Sequence, residues 1–249
     1  MNIRDGVLGL VTLAAVATAL SIAPVPQDPA YHDFADQRTI LGIAHFWNVA
    51  SNLPFLLVGA LGLAATSRLH AATHRPAYLI YCTGVMLVAL GSTWYHLAPS
   101  TETLLWDRLP MTVAFMAFLA MVIGDRISSA LGRTLLWPLL AAGAASVGYW
   151  YWSELAGRGD LRPYGLVQFL PMLLIAILLL MSRGPGLRGG WVWASLAFYA
   201  AAKLAEFFDA GILGLTSGFS GHSLKHLLAA VAAGCTLRSS LESGRVLTR

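Results

Sequence analysis

Long apolar runs alternate along the chain with short polar segments, and the apolar runs set the architecture. About eight of them are long enough to cross ~30 Å of hydrocarbon as helices. They run near residues 6–24, 42–66, 77–98, 102–124, 133–153, 163–182, 190–210 and 220–238. The polar segments between them are too short to hold a soluble domain. The pattern therefore predicts an all-α fold, a polytopic transmembrane helical bundle. Residues 1–27 read as an N-terminal transmembrane helix and linker, and residues 28–249 as the bundle proper. Ala17 and Ala19 offer a weak signal-cleavage pattern. The first apolar run is long for a signal sequence, however, and the following "PVPQDP" reads as a stiff link, so a retained helix is expected.

Composition agrees. The chain is 57% hydrophobic and only 11% charged, against roughly 25% charged residues in a soluble domain. The net charge of +4 is no nucleic-acid footprint, because the basic residues gather in short loops. With eight spans, Arg4, Arg68, Arg75, Arg126, Arg133, Arg183, Arg188, Arg238, Arg245 and Arg249 share one side. Arg38, Arg158 and Arg162 fall on the other, diluted by Asp28, Asp33, Asp36, Glu154 and Asp160. Both termini are thus expected in the cytoplasm. The brevity of the chain and its loops fits a bacterial inner (plasma) membrane. Cys82 and Cys235 sit inside apolar runs in no metal-type spacing, so a disulfide framework is unsupported.

Against this background the ionisable residues inside the spans stand out, because such groups are costly in a bilayer and usually face a bundle interior or cavity. Span three ends "GSTWYHLAPS", placing Ser92 and His96 four apart on one helical face. Span four begins "TETLLWDRLPM", with Asp107 in its second turn. Span eight begins "GHSLKHL", with His222 and His226 one turn apart. All five fall at one depth, a few residues below the outer surface. Three histidines plus a water is the open coordination of a catalytic zinc site. Cys82 cannot join it, lying about 21 Å of helix from His96. His32 and His45 are spare ligands or a polar rim, and His70 and His74 read as solvated loop residues.

The same residues resemble the alkaline ceramidases, in a superfamily with adiponectin-receptor-like and Per1-like proteins. That group is marked by a serine and histidine four apart, an aspartate on the next helix and a histidine pair on the last. Here these read "STWYH", "LLWDRLPM" and "HSLKH". "FWNVASNLPFLL" (Phe46 to Leu57) is similar to the ceramidase branch's first core helix. The resemblance runs from about residue 28 to 238. It implies a seven-helix core, to which the N-terminal helix is an addition, with an intramembrane zinc on His96, His222 and His226. It also implies hydrolysis of a lipid amide, ceramide giving a sphingoid base and a fatty acid. One feature departs from the family: where eukaryotic members carry a calcium-binding glutamate before "FWN", this chain has His45. Asp33 and Asp36 remain as candidate calcium ligands.

The chemistry follows from residue types. Zinc lowers the pKa of its water from ~15.7 toward ~7 and polarises a carbonyl. Asp107 would orient that water and relay its proton, and Ser92 would hydrogen-bond the carbonyl or oxyanion. Glu206 and Asp209 reach the same depth on span seven as candidates to orient a ligand histidine, although Lys203 and Glu206 could simply neutralise one another. Asn48 and Asn52 are expected to bond neighbouring helices, Lys225 to snorkel outward, and Pro54 and Pro110 to kink their helices and open room for an acyl chain. The partner is a lipid drawn from the bilayer. A lipid esterase or phospholipase using the same centre, a non-catalytic zinc receptor, and last a transporter are the competing readings.

Overall fold

The computed structural model describes residues 3–69 and 74–242, and they are all-helical apart from turns and one isolated bridge. His70, Arg245 and Arg249 lie outside the described residues. The helices are α1 (Ile3–Ser21), α2 (Phe46–Ala50), α3 (Leu53–Ala64), α4 (Arg75–Leu97), α5 (Thr101–Arg126), α6 (Ser129–Leu155), α7 (Arg162–Met181), α8 (Gly189–Phe207), α9 (Asp209–Thr216) and α10 (Gly221–Leu241). Short 3-10 turns occupy Pro29–His32 and Ala65–Arg68. The protein is an integral, multi-pass membrane protein.

Among the described residues six segments are long and apolar enough to span a bilayer by length and composition: α1, the α2–α3 stretch Phe46–Arg68, α4, α5, α6 and α7. The other two expected spans became α8 and α10. Their polar content explains the difference, since α8 carries Lys203 and Glu206, and α10 carries His222, Lys225, His226 and Arg238. These two helices pack along one another, joined by a buried bond between the Ser195 and Thr236 hydroxyls at 2.9 Å. His222, Lys225, His226 and Glu206 turn inward along this pair, which spares most of its polar groups from lipid.

Two expected spans are broken. Span two divides at Ser51–Asn52, where Pro54 in the first turn of α3 has no N–H to give the preceding turn. Span seven ends at Phe207. Asp209 then opens α9 and sits in its first turn, where a carboxylate suits the helix dipole. Helix starts elsewhere are capped by serine: Ser100 forms a capping box with Thr103, and Ser128 and Ser220 accept from Leu131 and Ser223 N–H.

Helix α5 is the centre of the bundle. Of its most apolar window, 78% is buried, against none for α1. It packs on α4, α6 and α7, while α1 lies on α7 at the rim. The linker after α1 is strapped to the α6–α7 turn: Leu161 N–H donates to Val25 O at 2.8 Å and Gln27 N–H to Glu154 Oε1 at 2.7 Å. Cys82 and Cys235 are free thiols.

Candidate metal centre

The last turns of α4 and the first turns of α5 and α10 meet at one end of the bundle. Two glycines permit the approach. A Cβ at Gly91 would collide with the Trp106 carbonyl of α5, and one at Gly221 with the Ala205 carbonyl of α8. Pro110 contributes to the first contact, because without an N–H it leaves the Trp106 C=O lacking its helical donor, and Gly91 lies against that oxygen.

The result is a cluster of His96, His222 and His226, exposed to 1%, 4% and 3%. One ligand atom from each lies within 4.8 Å of the other two, and His96 Nε2 is 3.3 Å from His226 Nε2. Among the described residues this is the group of metal-ligating side chains close enough to share an ion. The ring of Phe34, in the loop before α2, covers it at 4.6 Å from His96 and 4.5 Å from His222.

A neighbour fixes the ring of His226, whereas His96 Nδ1 is buried without a partner among the described residues. The Ser51 hydroxyl donates to Asn48 O, so its oxygen is left to accept from His226 Nδ1–H at 2.8 Å. That assignment puts the free lone pair of His226 on Nε2, toward His96. Asp209 accepts from the His222 backbone N–H at 2.6 Å and from Ala35 N–H at 3.0 Å. It positions the start of α10 rather than a ligand ring. His45 Nδ1 lies 3.0 Å from the His96 carbonyl, and His32 Nδ1 2.9 Å from the Tyr95 hydroxyl, so both act as polar rim.

Beside the histidines opens a cavity of about 340 Å³, lined by Ser92, Asp107 and His226 at one end and by Tyr81, Phe118 and Ala233 deep in the bundle. Ser92 and Asp107 are buried, and the serine hydroxyl faces the carboxylate. The walls between are largely apolar, as suits an acyl chain.

The Ceramidase family model matches residues 37–185, more than half of the chain. The chain belongs to the Ceramidase family. The match takes in Ser92, His96 and Asp107 but ends before His222 and His226, whose part rests on geometry. Family membership and the buried three-histidine cluster together indicate a metal-dependent, ceramidase-like hydrolase of amidase type. No curated protein matches the chain as a relative.

Several expectations need correcting. Lys225 does not snorkel outward: its side chain is 16% exposed, and its ammonium bonds Glu206 Oε1 at 2.8 Å and lies 3.2 Å from His222 Nε2. Glu206 thus neutralises Lys225 as well as Lys203, and it contacts no ligand ring directly. His74 is not solvated but half-buried against Gly124 of α5. Asn48 bonds a neighbouring helix through Ser223, at 2.7 Å, whereas Asn52 bonds its own chain at Asn48 O. Asp33 is exposed, and Asp36 is held by Arg38, whose bonds keep its carboxyl below the usual carboxylate range. No metal-type acidic cluster forms around these two among the described residues.

Sequence reasoning did not find Ser51 or Phe34. Ser51 lay inside "FWNVASN" without any spacing signal. Phe34 matters only through contacts between distant segments.

Proposed function

We propose that this protein is a zinc-dependent intramembrane hydrolase that cleaves the amide bond of ceramide or a related N-acyl lipid, releasing a fatty acid and an amine. The observation that carries the reading is the buried trio His96, His222 and His226 at the head of an apolar cavity shared with Ser92 and Asp107. Its spacing supports zinc: two nitrogens on a tetrahedral zinc at ~2.0–2.1 Å stand about 3.3 Å apart, and His96 Nε2 and His226 Nε2 are separated by that distance. When bound, zinc would supply Lewis acidity toward the amide carbonyl and a lowered pKa for the attacking water.

The protein's own residues do the rest. Asp107 accepts a proton from the attacking water as the C–O bond forms and delivers it to the leaving nitrogen as the C–N bond then breaks. Ser92 donates its hydroxyl to the carbonyl oxygen as negative charge develops there. Ser51 holds the His226 ring through Nδ1. The apolar cavity takes the acyl chain and excludes water. By loop charge, the centre sits toward the outer leaflet, with both termini cytoplasmic. A calcium site at Asp33 and Asp36 gains no support from the geometry.

The test is fatty-acid release from labelled ceramide and from an ester lipid of the same acyl chain, using detergent-purified, zinc-loaded protein. Amide cleavage that stops on chelation and returns with zinc is expected. Cleavage of the ester alone would replace the amidase with an esterase. Cleavage of neither would leave a metal-binding membrane protein without this activity.

A further inference from the structure

One cation in the cavity wall has no anion. Arg108 follows Asp107 on α5, is only 5% exposed, and lines the same cavity. Its guanidinium is clamped 4.1 Å from the Trp150 ring centre and 4.6 Å from that of Tyr164, with Tyr31 at 5.6 Å. Nη2 donates to Gln27 Oε1 at 2.6 Å, and Nη1 is buried with no partner. The surrounding acids are engaged elsewhere. Glu154 Oε1 accepts from Gln27 N–H and the Trp150 indole N–H, Glu206 pairs with Lys203 and Lys225, and Asp107 faces Ser92. Among the described residues Arg108 forms no ion pair.

An uncompensated buried charge is costly to a fold, and cation–π contacts return only part of that cost. The aromatic clamp and Gln27 also hold the guanidinium in one orientation, which is how a recognition group is built. From the unpaired Nη1 and its place one residue from Asp107, we infer that Arg108 receives a carboxylate carried on the amine half of the substrate. The preferred substrate class is then N-acyl amino acids rather than neutral ceramides. A carboxylate suits this site better than a phosphate, which brings nearly two charges and three acceptor oxygens to a single guanidinium already bonded to Gln27. The inference rests on the amidase reading, yet its binding component can be tested apart from turnover.

Two measurements test it. The first compares kcat/KM for N-palmitoylglycine and for ceramide of the same acyl chain, in wild type and Arg108→Gln. Wild type is expected to favour the acid, and the variant to lose about 100-fold on the acid, mostly through KM, so that the ratio of the acid's kcat/KM to that of ceramide collapses. The second uses non-cleavable ligands with the zinc-loaded protein: a ketone analogue of N-palmitoylglycine and the same ketone with its carboxylate amidated. Wild type is expected to bind the acid at least tenfold more tightly, Arg108→Gln to bind both alike, and Arg108→Lys to recover part of the preference. Equal binding of the two by wild type would overturn the inference without any variant having to fold. A preference that survives in Arg108→Gln would overturn it too, assigning the carboxylate to the metal. Failure to cleave any N-acyl lipid would sink the amidase reading alone, because the ligand pair still decides the role of Arg108.

Discussion

Helix α5 carries the dipeptide Asp–Arg twice, as Asp107–Arg108 and Asp125–Arg126, and the two copies do opposite things. At Asp125–Arg126 the two charges pair with one another and with the backbone around them. Asp125 Oδ1 accepts from Gly186 N–H at 2.7 Å and Leu187 N–H at 3.1 Å, and Oδ2 lies 2.9 Å from Arg126 Nε. Arg126 donates to Ser182 O and Leu187 O, while its own carbonyl accepts from Arg4. This copy fastens the α7–α8 loop and the N-terminal helix to the core helix. At Asp107–Arg108 the carboxylate and the guanidinium turn apart into a cavity, and one guanidinium nitrogen is left without a partner. Paired charges hold a fold together, and an unpaired one beside a cavity is open to a ligand.

Substituting the two aspartates gives the largest contrast. Asp107→Asn is expected to lower turnover by about 10²–10⁴-fold, the range for loss of a general acid–base group, with zinc content and thermal midpoint near wild type. Asp125→Asn is expected to leave turnover per folded molecule within about twofold but to destabilise the protein, since breaking a buried pair costs about 3–5 kcal/mol. Thermal denaturation in detergent alongside activity separates the two. If Asp125→Asn instead abolished turnover at unchanged stability, the contrast would collapse.

Ser51→Ala sharpens the site side of the comparison. Removing the partner of His226 Nδ1 should weaken zinc binding about 10–100-fold, read by chelator competition, with little change in helicity. Gly91→Ala probes the close contact of α4 with α5. The added methyl meets the Trp106 carbonyl, and strain of this kind costs about 1–3 kcal/mol, visible as a lower thermal midpoint. The smallest effect concerns the strap at the α6–α7 turn. Arg162 bonds Asp160 and holds its carboxyl below the usual range. That contribution is present above the unfolded carboxylate pKa of about 3.9 and is lost as pH falls through the lower folded value. Asp160→Asn should therefore remove a small part of the stability at pH 7 and flatten the acid limb of a stability–pH curve.

Much of this molecule was legible in its sequence because membrane spans convert residue number into depth. Counting along spans of about 1.5 Å rise per residue brings His96, Asp107, His222 and His226 to one level, and the structure gathers the three histidines there. Depth says nothing about which way a side chain turns around its helix. Lys225, at the level where snorkelling is cheap, turns inward to Glu206. Arg126, counted as a topological loop charge, is buried, and His74, also placed in a loop, packs on α5. The break at Ser51–Asn52 was foreshadowed by Pro54, whereas the one at Phe207 had no breaker residue to announce it. Asp209 is fixed there by His222 and Ala35 N–H, contacts that exist only once the chain has folded.

Elemental analysis of the purified protein tests the central claim most directly. One zinc per chain in wild type, retained in Asp107→Asn and lost in His96→Ala and His226→Ala, is the expected result. A folded wild type that takes up no zinc, or variants that hold it as firmly as wild type, would contradict the account.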